Sequence, residues 1–299
     1  MGWTEKASTL VSAGVAVLIM LTPGWLYAER LEAVEGQACY RYGDKETPVQ
    51  AKEEALALAR KNAVENHRVF IDSTSTVKDF QLEKDLVEAV SVGTLTQIKI
   101  LTQKEEGREV CLSISGMINP GQTEDLIEQR TKAKEIVKAA QSEEVSPRSA
   151  FALKLSVNKS NGRYEEGEEL IIYLQSESDG YLKLDYFQAD GKVVHLVPNL
   201  FRGQAKIEKG KQYTFGGVMS AERFTIDGPF GDELIKVFVS PQPIPEIFES
   251  NELIEDSGTH LQTMKMKLRG VRVQANAAVS LRTSQKGLTP SQKPTLSQN

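Results

Sequence analysis

Cysteine and histidine, the residue types that most often supply nucleophiles, bases and metal ligands, are scarce in this chain. Its 299 residues include two cysteines and three histidines. A catalytic triad needs a nucleophile, a base and a group that orients the base, and no local motif ties a serine to any histidine. Neither His-Glu-x-x-His nor Gly-x-Ser-x-Gly occurs, and two cysteines alone do not complete a zinc site. We therefore predict no catalytic residue, no metal site and no cofactor, and we expect that the protein is not an enzyme.

The two cysteines, Cys39 and Cys111, lie in stretches that read as β-strands. An even cysteine count in an exported chain favours a disulfide. Closing a loop of roughly 70 residues would stabilise the fold by roughly 2–4 kcal/mol if the geometry allows it. We predict a Cys39–Cys111 disulfide, and two free buried thiols are the alternative.

Residues 1–28 have the parts of a secretory signal. Lys6 precedes a 12-residue apolar run over Leu10–Leu21, and Pro23-Gly24 breaks that run before Ala28. A helix that spans a bilayer needs about 20 apolar residues, so an uncleaved anchor is the weaker alternative. The first cysteine lies too far beyond the run for a lipoprotein signal. We expect cleavage after residue 28, no stable membrane span afterwards, and a periplasmic protein of the Gram-negative envelope.

Composition and charge are those of an ordinary soluble globular protein. The chain is 40% hydrophobic and 26% charged, with a formal net charge of −5. Nucleic-acid binding usually needs a basic face, so we expect no nucleic-acid partner. The length favours about two domains.

Residues 32–120 read as an α+β module in the order β-α-β-α-β-β. Thr47, Pro48 and Gln50 have the spacing of a capping box with proline in the first helical position. The helix that follows, over 49–69, has alanine at every fourth position, which allows close approach to a sheet. An extended segment over 70–77, a short helix over 81–91 and strands over 94–102 and 109–118 complete the module.

The same stretch resembles a known family. The sequences "AKEEALALARKNAVE", "VFIDSTSTVKD" and "GTLTQIKIL…GREVCLSISGMI" are similar to the N-terminal domain shared by the LPP20 lipoproteins and the flagellar assembly protein T of Gram-negative bacteria. This chain lacks the lipidated cysteine of the lipoproteins. The resemblance therefore implies a role in envelope assembly but no lipid anchor.

Residues 121–147 read as a linker helix and hinge. Asn119-Pro120-Gly121 stops the preceding strand, and Thr123 is the expected helix cap. Residues 148–283 then show short alternating strands separated by Asn-Gly and Asp-Gly turns, which indicates a mostly antiparallel β-sandwich. A short helix near 261–268 and a terminal strand over 271–281 close this domain. The polar residues 284–299 read as a disordered tail.

The β-domain resembles DUF4384, a bacterial domain of unknown function. The residues that match are Asp179-Gly180-Tyr181, Asp190-Gly191, Leu196-Val197-Pro198-Asn199 and Gly228-Pro229. The family usually accompanies envelope or signalling modules and has no assigned catalytic residues. The resemblance thus implies a domain that binds rather than reacts.

Three residues of this domain are candidates for ligand binding: Tyr181, His195 and Asn199. His195 and Asn199 lie near a strand end, where side chains can face a cleft, and Tyr181 offers an aromatic surface. Ordinary packing and turn-capping are the alternative for all three.

We expect a non-catalytic exported protein that acts as an interaction or assembly adaptor for a surface structure or secretion machinery, with envelope proteins as partners. Exposed sheet edges and the groove between the domains would supply the contact. One alternative is a sensor of small ligands or glycans that uses the β-domain. Another is an unrecognised hydrolase that uses paired carboxylates, because pairing happens in space and not in sequence.

Overall fold

The structure is a computed structural model that describes residues 30–67, 70, 80–142, 151–199, 203, 205–218, 220, 222–243, 254–268 and 275–286. Four features predicted from the sequence lie wholly or mostly outside this range: the leader over 1–28, the extended segment over 70–77, the hinge after residue 142, and the tail beyond residue 286. Among the helices described, none combines the length and the apolar character that crossing a bilayer requires.

The N-terminal part is a three-stranded antiparallel sheet with helices on one face. Its elements are β1 (Glu32–Arg41), α1 (Pro48–Glu65), α2 (Phe80–Gly93), β2 (Leu95–Glu106) and β3 (Glu109–Ile118). The strand order in space is β1-β3-β2, so β1 and β2 form the edges of the described sheet. The arrangement confirms the predicted α+β class.

Helix α1 begins where its capping box predicts. The backbone N–H of Gln50 donates to Oγ1 of Thr47 at 3.2 Å, and the backbone N–H of Thr47 donates to Oε1 of Gln50 at 2.8 Å. Two N–H groups that helix formation would leave unpaired are thereby satisfied.

Small residues let α1 lie very close to β1. The face of α1 that meets the sheet is a buried alanine stripe, consisting of Ala51, Ala55, Ala59 and Ala63. Opposite this stripe, Gly36 leaves no room for a side chain, because an added Cβ would lie 2.1 Å from the carbonyl oxygen of Ala59. The close approach expected from the alanine spacing is therefore present.

The C-terminal part is a sandwich of two sheets. Its strands are β4 (Leu153–Val157), β5 (Arg163–Glu165), β6 (Glu169–Leu170), β7 (Ile172–Ser176), β8 (Gly180–Phe187), β9 (Lys192–Val197), β10 (Ala205–Ile207), β11 (Gln212–Phe215), β12 (Phe224–Thr225), β13 (Asp232–Ser240), β14 (Ile254–Asp256) and β15 (Ala275–Ser284). The main sheet has the order β14-β9-β8-β13-β15-β5, with β10 also paired to β8, and the smaller sheet has the order β11-β7-β4. Only the β15–β5 pair among these is parallel. Apolar side chains of both sheets share one core.

Helix α3 (Pro120–Ser142) joins the two parts and packs against both α2 and β13. Its cap is Asn119 rather than the predicted Thr123: Oδ1 of Asn119 accepts the backbone N–H of Gln122 at 3.2 Å. Thr123 is buried one turn later, and its hydroxyl donates to the carbonyl of Asn119 at 2.9 Å. Pro120 therefore opens the helix, in agreement with the preference of proline for the first turn.

The main sheet is covered on both faces. Along β8, Leu182 and Leu184 point into the sandwich core, so Lys183, Asp185 and Phe187 point to the opposite face. Helices α3 and α4 (Ser257–Leu268) cover that opposite face, where apolar side chains of α3 and α4 pack against Phe187. The sequence predicts both helices but not that they cover this face.

Candidate functional site

Four ionisable side chains meet on the helix-covered face of the main sheet. We name Lys183, Asp185, His195 and His260 the Asp185 cluster. Strand β8 supplies Lys183 and Asp185, because residues two apart on a strand point the same way. His195 of β9 pairs with Asp185 across the ladder, and His260 comes from α4. The most exposed of the four, Lys183, is 1% exposed.

The Asp185 carboxylate is the centre of the cluster. Its Oδ1 lies 2.8 Å from Nζ of Lys183 and 2.8 Å from Nδ1 of His195. Its Oδ2 lies 3.1 Å from Nε2 of His260. The two imidazole rings are 4.8 Å apart between centroids. One carboxylate thus links two strands and a helix through three side chains.

The partners keep Asp185 ionised. Burial alone would raise its pKa, but the Lys183 ammonium and the hydrogen bonds from His260 and His195 hold that pKa well below its ordinary value. Lys183 supplies one positive charge that balances the carboxylate. Breaking a buried pair of this kind is costly, because the remaining charge has no compensation.

A metal ion fits this cluster poorly. Asp185, His195 and His260 present three donor atoms within 4.8 Å of one another, which is the ligand number of a catalytic zinc site. However, the Lys183 ammonium contacts the same carboxylate oxygen as His195. The buried ammonium would repel a divalent metal ion, and Lys183 already supplies the positive charge that a metal ion would bring to the carboxylate.

The three predicted binding residues have different surroundings. His195 is in the Asp185 cluster. Asn199 donates its amide to the carbonyls of His195 and Leu196 at 3.2 and 2.9 Å, and so caps the turn after β9. Tyr181 is half-buried on β8, four residues and therefore about 13 Å along the strand from Asp185.

Sequence reasoning did not single out Lys183, Asp185 or His260. The spacing Lys-x-Asp on β8 predicts two charges on one strand face, and the β8–β9 hairpin brings His195 opposite Asp185. The local sequence of β8 and β9 therefore indicates this part of the cluster. It gives no indication of His260, because 75 residues separate His260 from Asp185.

A second buried carboxyl, Glu233 of β13, lies on the sandwich side of the main sheet. The hydroxyl of Tyr186 donates to its Oε2, and the backbone N–H of Ala189 donates to its Oε1 at 3.3 Å. Burial nevertheless raises the pKa of Glu233 to about 7. A shifted carboxyl is typical of catalytic acids, but Glu233 is only 2% exposed.

Ion pairs close the junction between the two parts of the molecule. Arg282 of β15 contacts Asp85 of α2 and lies 2.6 Å from Oδ1 of Asp232. Lys134 of α3 lies 3.1 Å from Oδ2 of Asp232. The cleft beside these residues has a volume of about 20 Å³, which is room for about one water molecule. This cleft is therefore too small to accept a partner's chain without opening.

Strand β2, in contrast, has no further strand paired to its outer edge in the part of the chain that the structure describes. Helix α1 covers β1 and β3, and every residue of β2 from Lys99 to Glu106 is exposed. Two of them are large and apolar: Ile100 is 44% exposed and Leu101 is 50% exposed. At the other edge of this sheet, the predicted disulfide joins Cys39 of β1 to its directly paired residue Cys111 of β3.

Comparison with known proteins finds a family match for part of the C-terminal half of the chain. Residues 163–243 match the family model of a domain of unknown function, DUF4384, in agreement with the resemblance noted above. The match spans β5 through β13 and includes Lys183, Asp185 and His195 but not His260. No curated protein matches the chain significantly. The likeness of the N-terminal part to the LPP20 and flagellar assembly families stays a prediction.

Proposed function

We propose that this chain is a non-catalytic exported protein of the Gram-negative envelope, which binds protein partners as an adaptor for a surface structure or secretion machine. The observation that supports this role best is the open edge of β2. An edge strand presents a row of unpaired N–H and C=O groups that can pair with an extended segment of another protein. The contact proposed here is the addition of a partner strand to β2.

The side chains of β2 favour selective rather than indiscriminate pairing. Lys99 and Lys104 flank the exposed Ile100 and Leu101. The β2–β3 register also shifts twice near this point. Lysines and bulges are the devices that protect edge strands against aggregation, so a partner must match both the apolar centre and the charged flanks.

Two further observations support an exported adaptor. The disulfide between Cys39 and Cys111 is typical of oxidising compartments such as the periplasm, to which the leader predicted over 1–28 would direct the chain. The exposed apolar side chains of β2, in turn, offer a surface for contact with a partner.

The ligand-sensor alternative has less support. It needs Tyr181, His195 and Asn199 to converge on a cleft, whereas His195 is fully buried and Asn199 caps a turn. The hydrolase alternative would use the Glu233 carboxyl, which is also buried.

Affinity capture from envelope extracts tests the adaptor role. Leu101→Lys adds a charge at the centre of the open edge and should reduce recovery of a specific partner by at least about tenfold, since a lost apolar contact and a buried charge each cost more than about 1.4 kcal/mol. Val49→Lys is the matched control, because Val49 is also apolar and 68% exposed but lies on α1. Equal recovery of the partner with the wild type and with both variants would show that β2 does not bind the partner.

A further inference from the structure

Strand β2 presents different side chains on the two sides of the N-terminal sheet. Residues that pair directly across a ladder point to the same side. On the side opposite the helices, β2 contributes Lys99, Thr102 and Lys104, whose partners on β3 are half-buried. On the helix side it contributes Ile100 and Gln103, whose partners on β3 are buried. A strand added to β2 would therefore meet two lysines on one side and an apolar residue on the other.

The register fixes the distance between the two lysines. Leu101 has no partner on β3, because the pairing shifts between Ile100 and Thr102. The five residues that do pair occupy five consecutive rungs of the ladder, with Lys99 on the first and Lys104 on the last. A regular added strand would place five consecutive residues opposite these rungs. Its first and fifth residues would then face the two lysines.

Both lysines have charges available to a partner. Lys99 and Lys104 are exposed, and neither has an ion pair or a side-chain hydrogen bond among the residues that the structure describes. Opposite charges directly across a ladder stabilise the pairing of two strands, and like charges destabilise it. Carboxylates are therefore the side chains that best complement the first and last of the five rungs.

The end of β2 limits how far an acidic segment can extend. Glu105 and Glu106 follow Lys104 and are exposed. Gln103 donates its amide to Oε1 of Glu105 at 2.6 Å, which leaves the glutamate negatively charged. An acidic residue opposite either glutamate would be repelled, so an unbroken acidic tract does not fit this edge.

We propose that the β2 edge selects an extended segment of a partner protein in which two carboxylate side chains, four positions apart, flank a short apolar or β-branched stretch. The carboxylates pair with Lys99 and Lys104, and the residue beside one of them covers Ile100. This inference rests on the proposed function, because it names the segment that the same edge would accept.

A second copy of this chain complements the edge less well. Antiparallel pairing of two β2 strands that places Lys99 opposite Glu106 also places the apolar Ile100 opposite Glu105, if Leu101 is again left out of the ladder. The charges of β2 therefore favour a different protein as the occupant.

Binding of two labelled peptides to the full chain, measured by fluorescence anisotropy, tests the pattern. The acidic peptide has the core Glu-Val-Thr-Val-Glu and the basic peptide has the core Lys-Val-Thr-Val-Lys, each between flanking glycines. Both cores read the same in either direction, so parallel and antiparallel addition are tested together. The acidic peptide should bind at least about tenfold more tightly, because its glutamates face lysines whereas the lysines of the basic peptide meet like charges.

The charge-reversed double variant Lys99→Glu with Lys104→Glu should prefer the basic peptide instead. This reversal includes a gain of binding, which a folding defect does not produce. The double variant Lys154→Glu with Lys206→Glu is the matched control, because it reverses two exposed lysines on strands of the β-domain. The control should keep the preference for the acidic peptide.

Equal affinity for the two peptides, or no binding of the acidic peptide at about 1 mM, would overturn the inference. If partner capture still depends on Leu101 in that case, the edge remains a binding site and only its preference for carboxylates is wrong. If Leu101→Lys leaves capture unchanged as well, the proposed function fails too. A dimer of the chain that the charge-reversed variant abolishes would also overturn the inference, because the edge would then pair with itself.

Discussion

The N-terminal sheet is covered on one face, whereas the main sheet of the C-terminal part is covered on both. The described polar side chains that are buried in the N-terminal part are neutral: Ser91, Thr94, Asn119 and Thr123. Those buried in the C-terminal part include six ionisable groups: Lys183, Asp185, His195, Glu233, Lys236 and His260. A sheet with a bare face can leave its charged residues in water. A sheet covered twice must give each charged side chain a partner inside the protein.

Because of this difference, the two sheets are suited to different roles. Among the described residues, the exposed face and the outer β2 edge of the N-terminal sheet are suited to contact with another protein. The covered sheet holds buried charged groups, whose removal should change the stability of the fold. Changes that remove charge should therefore matter most in the C-terminal part, and changes of shape or crosslinking should matter in the N-terminal part.

The largest expected effect is that of Asp185→Asn. The substitution removes the carboxylate that pairs with the buried Lys183 ammonium and should lower the free energy of unfolding by roughly 3–5 kcal/mol. Urea unfolding at neutral pH measures it. The double variant Lys183→Met with Asp185→Asn removes both charges and should recover most of the loss. A single variant as stable as the wild type would show that Asp185 is not the centre of the cluster.

In the N-terminal part, the corresponding test is removal of the disulfide. The double variant Cys39→Ala with Cys111→Ala opens a crosslink between residues 72 apart, which should reduce the free energy of unfolding by roughly 2–4 kcal/mol through greater freedom of the unfolded chain. Chemical reduction of the wild type should lower the urea midpoint similarly. An unchanged midpoint in both experiments would argue against the bond.

The raised pKa of Glu233 predicts that the stability of the fold depends on pH. Its pKa is about 7 in the folded protein against an ordinary 4.5, so the folded state binds the extra proton between these values. The protein is therefore most stabilised by this group below its ordinary pKa, and that contribution is lost as the pH rises through about 7. Glu233→Gln cannot lose a proton, and its stability relative to the wild type should improve by up to about 3 kcal/mol between about pH 4.5 and about pH 8. Unfolding curves of both proteins across this range check it, and parallel pH profiles would contradict it.

The smallest effect expected is that of Gly36→Ala. The new methyl group would overlap the backbone of α1 at Ala59, and the overpacking should cost roughly 1–3 kcal/mol. Gly43→Ala is the control, because a Cβ at Gly43 would come no closer than 3.8 Å to the Glu46 carboxylate. Thermal unfolding of the two variants should separate them. Equal melting temperatures would mean that α1 can move away from β1 without cost.

Local signals predicted most of the elements. The capping box at Thr47, the alanine stripe and the Asp-Gly turns act within a few residues, and each has a direct counterpart in the fold. The start of α3 was missed because Pro120 serves equally well to end a strand and to open a helix. Which of these two roles Pro120 has depends on the position of Asn119 in the folded chain.

The Asp185 cluster was only partly predictable, for a different reason. Alternating leucines and charges on β8 are typical of a strand with one face in water, and nothing local states that helices cover the other face. That cover comes from α3, which precedes the domain in sequence, and from α4, which lies between β14 and β15. The same limit applies to His195: its position in the hairpin is predictable, but its burial depends on α4.

Site-specific photo-crosslinking in cells tests the central claim, that partners bind at the open edge of the N-terminal sheet. A crosslinking amino acid at Leu101 should form a discrete adduct with an envelope protein. The same amino acid at Val218, which is apolar and 78% exposed in the β-domain, should not. Adducts from position 218 together with none from position 101 would contradict the account.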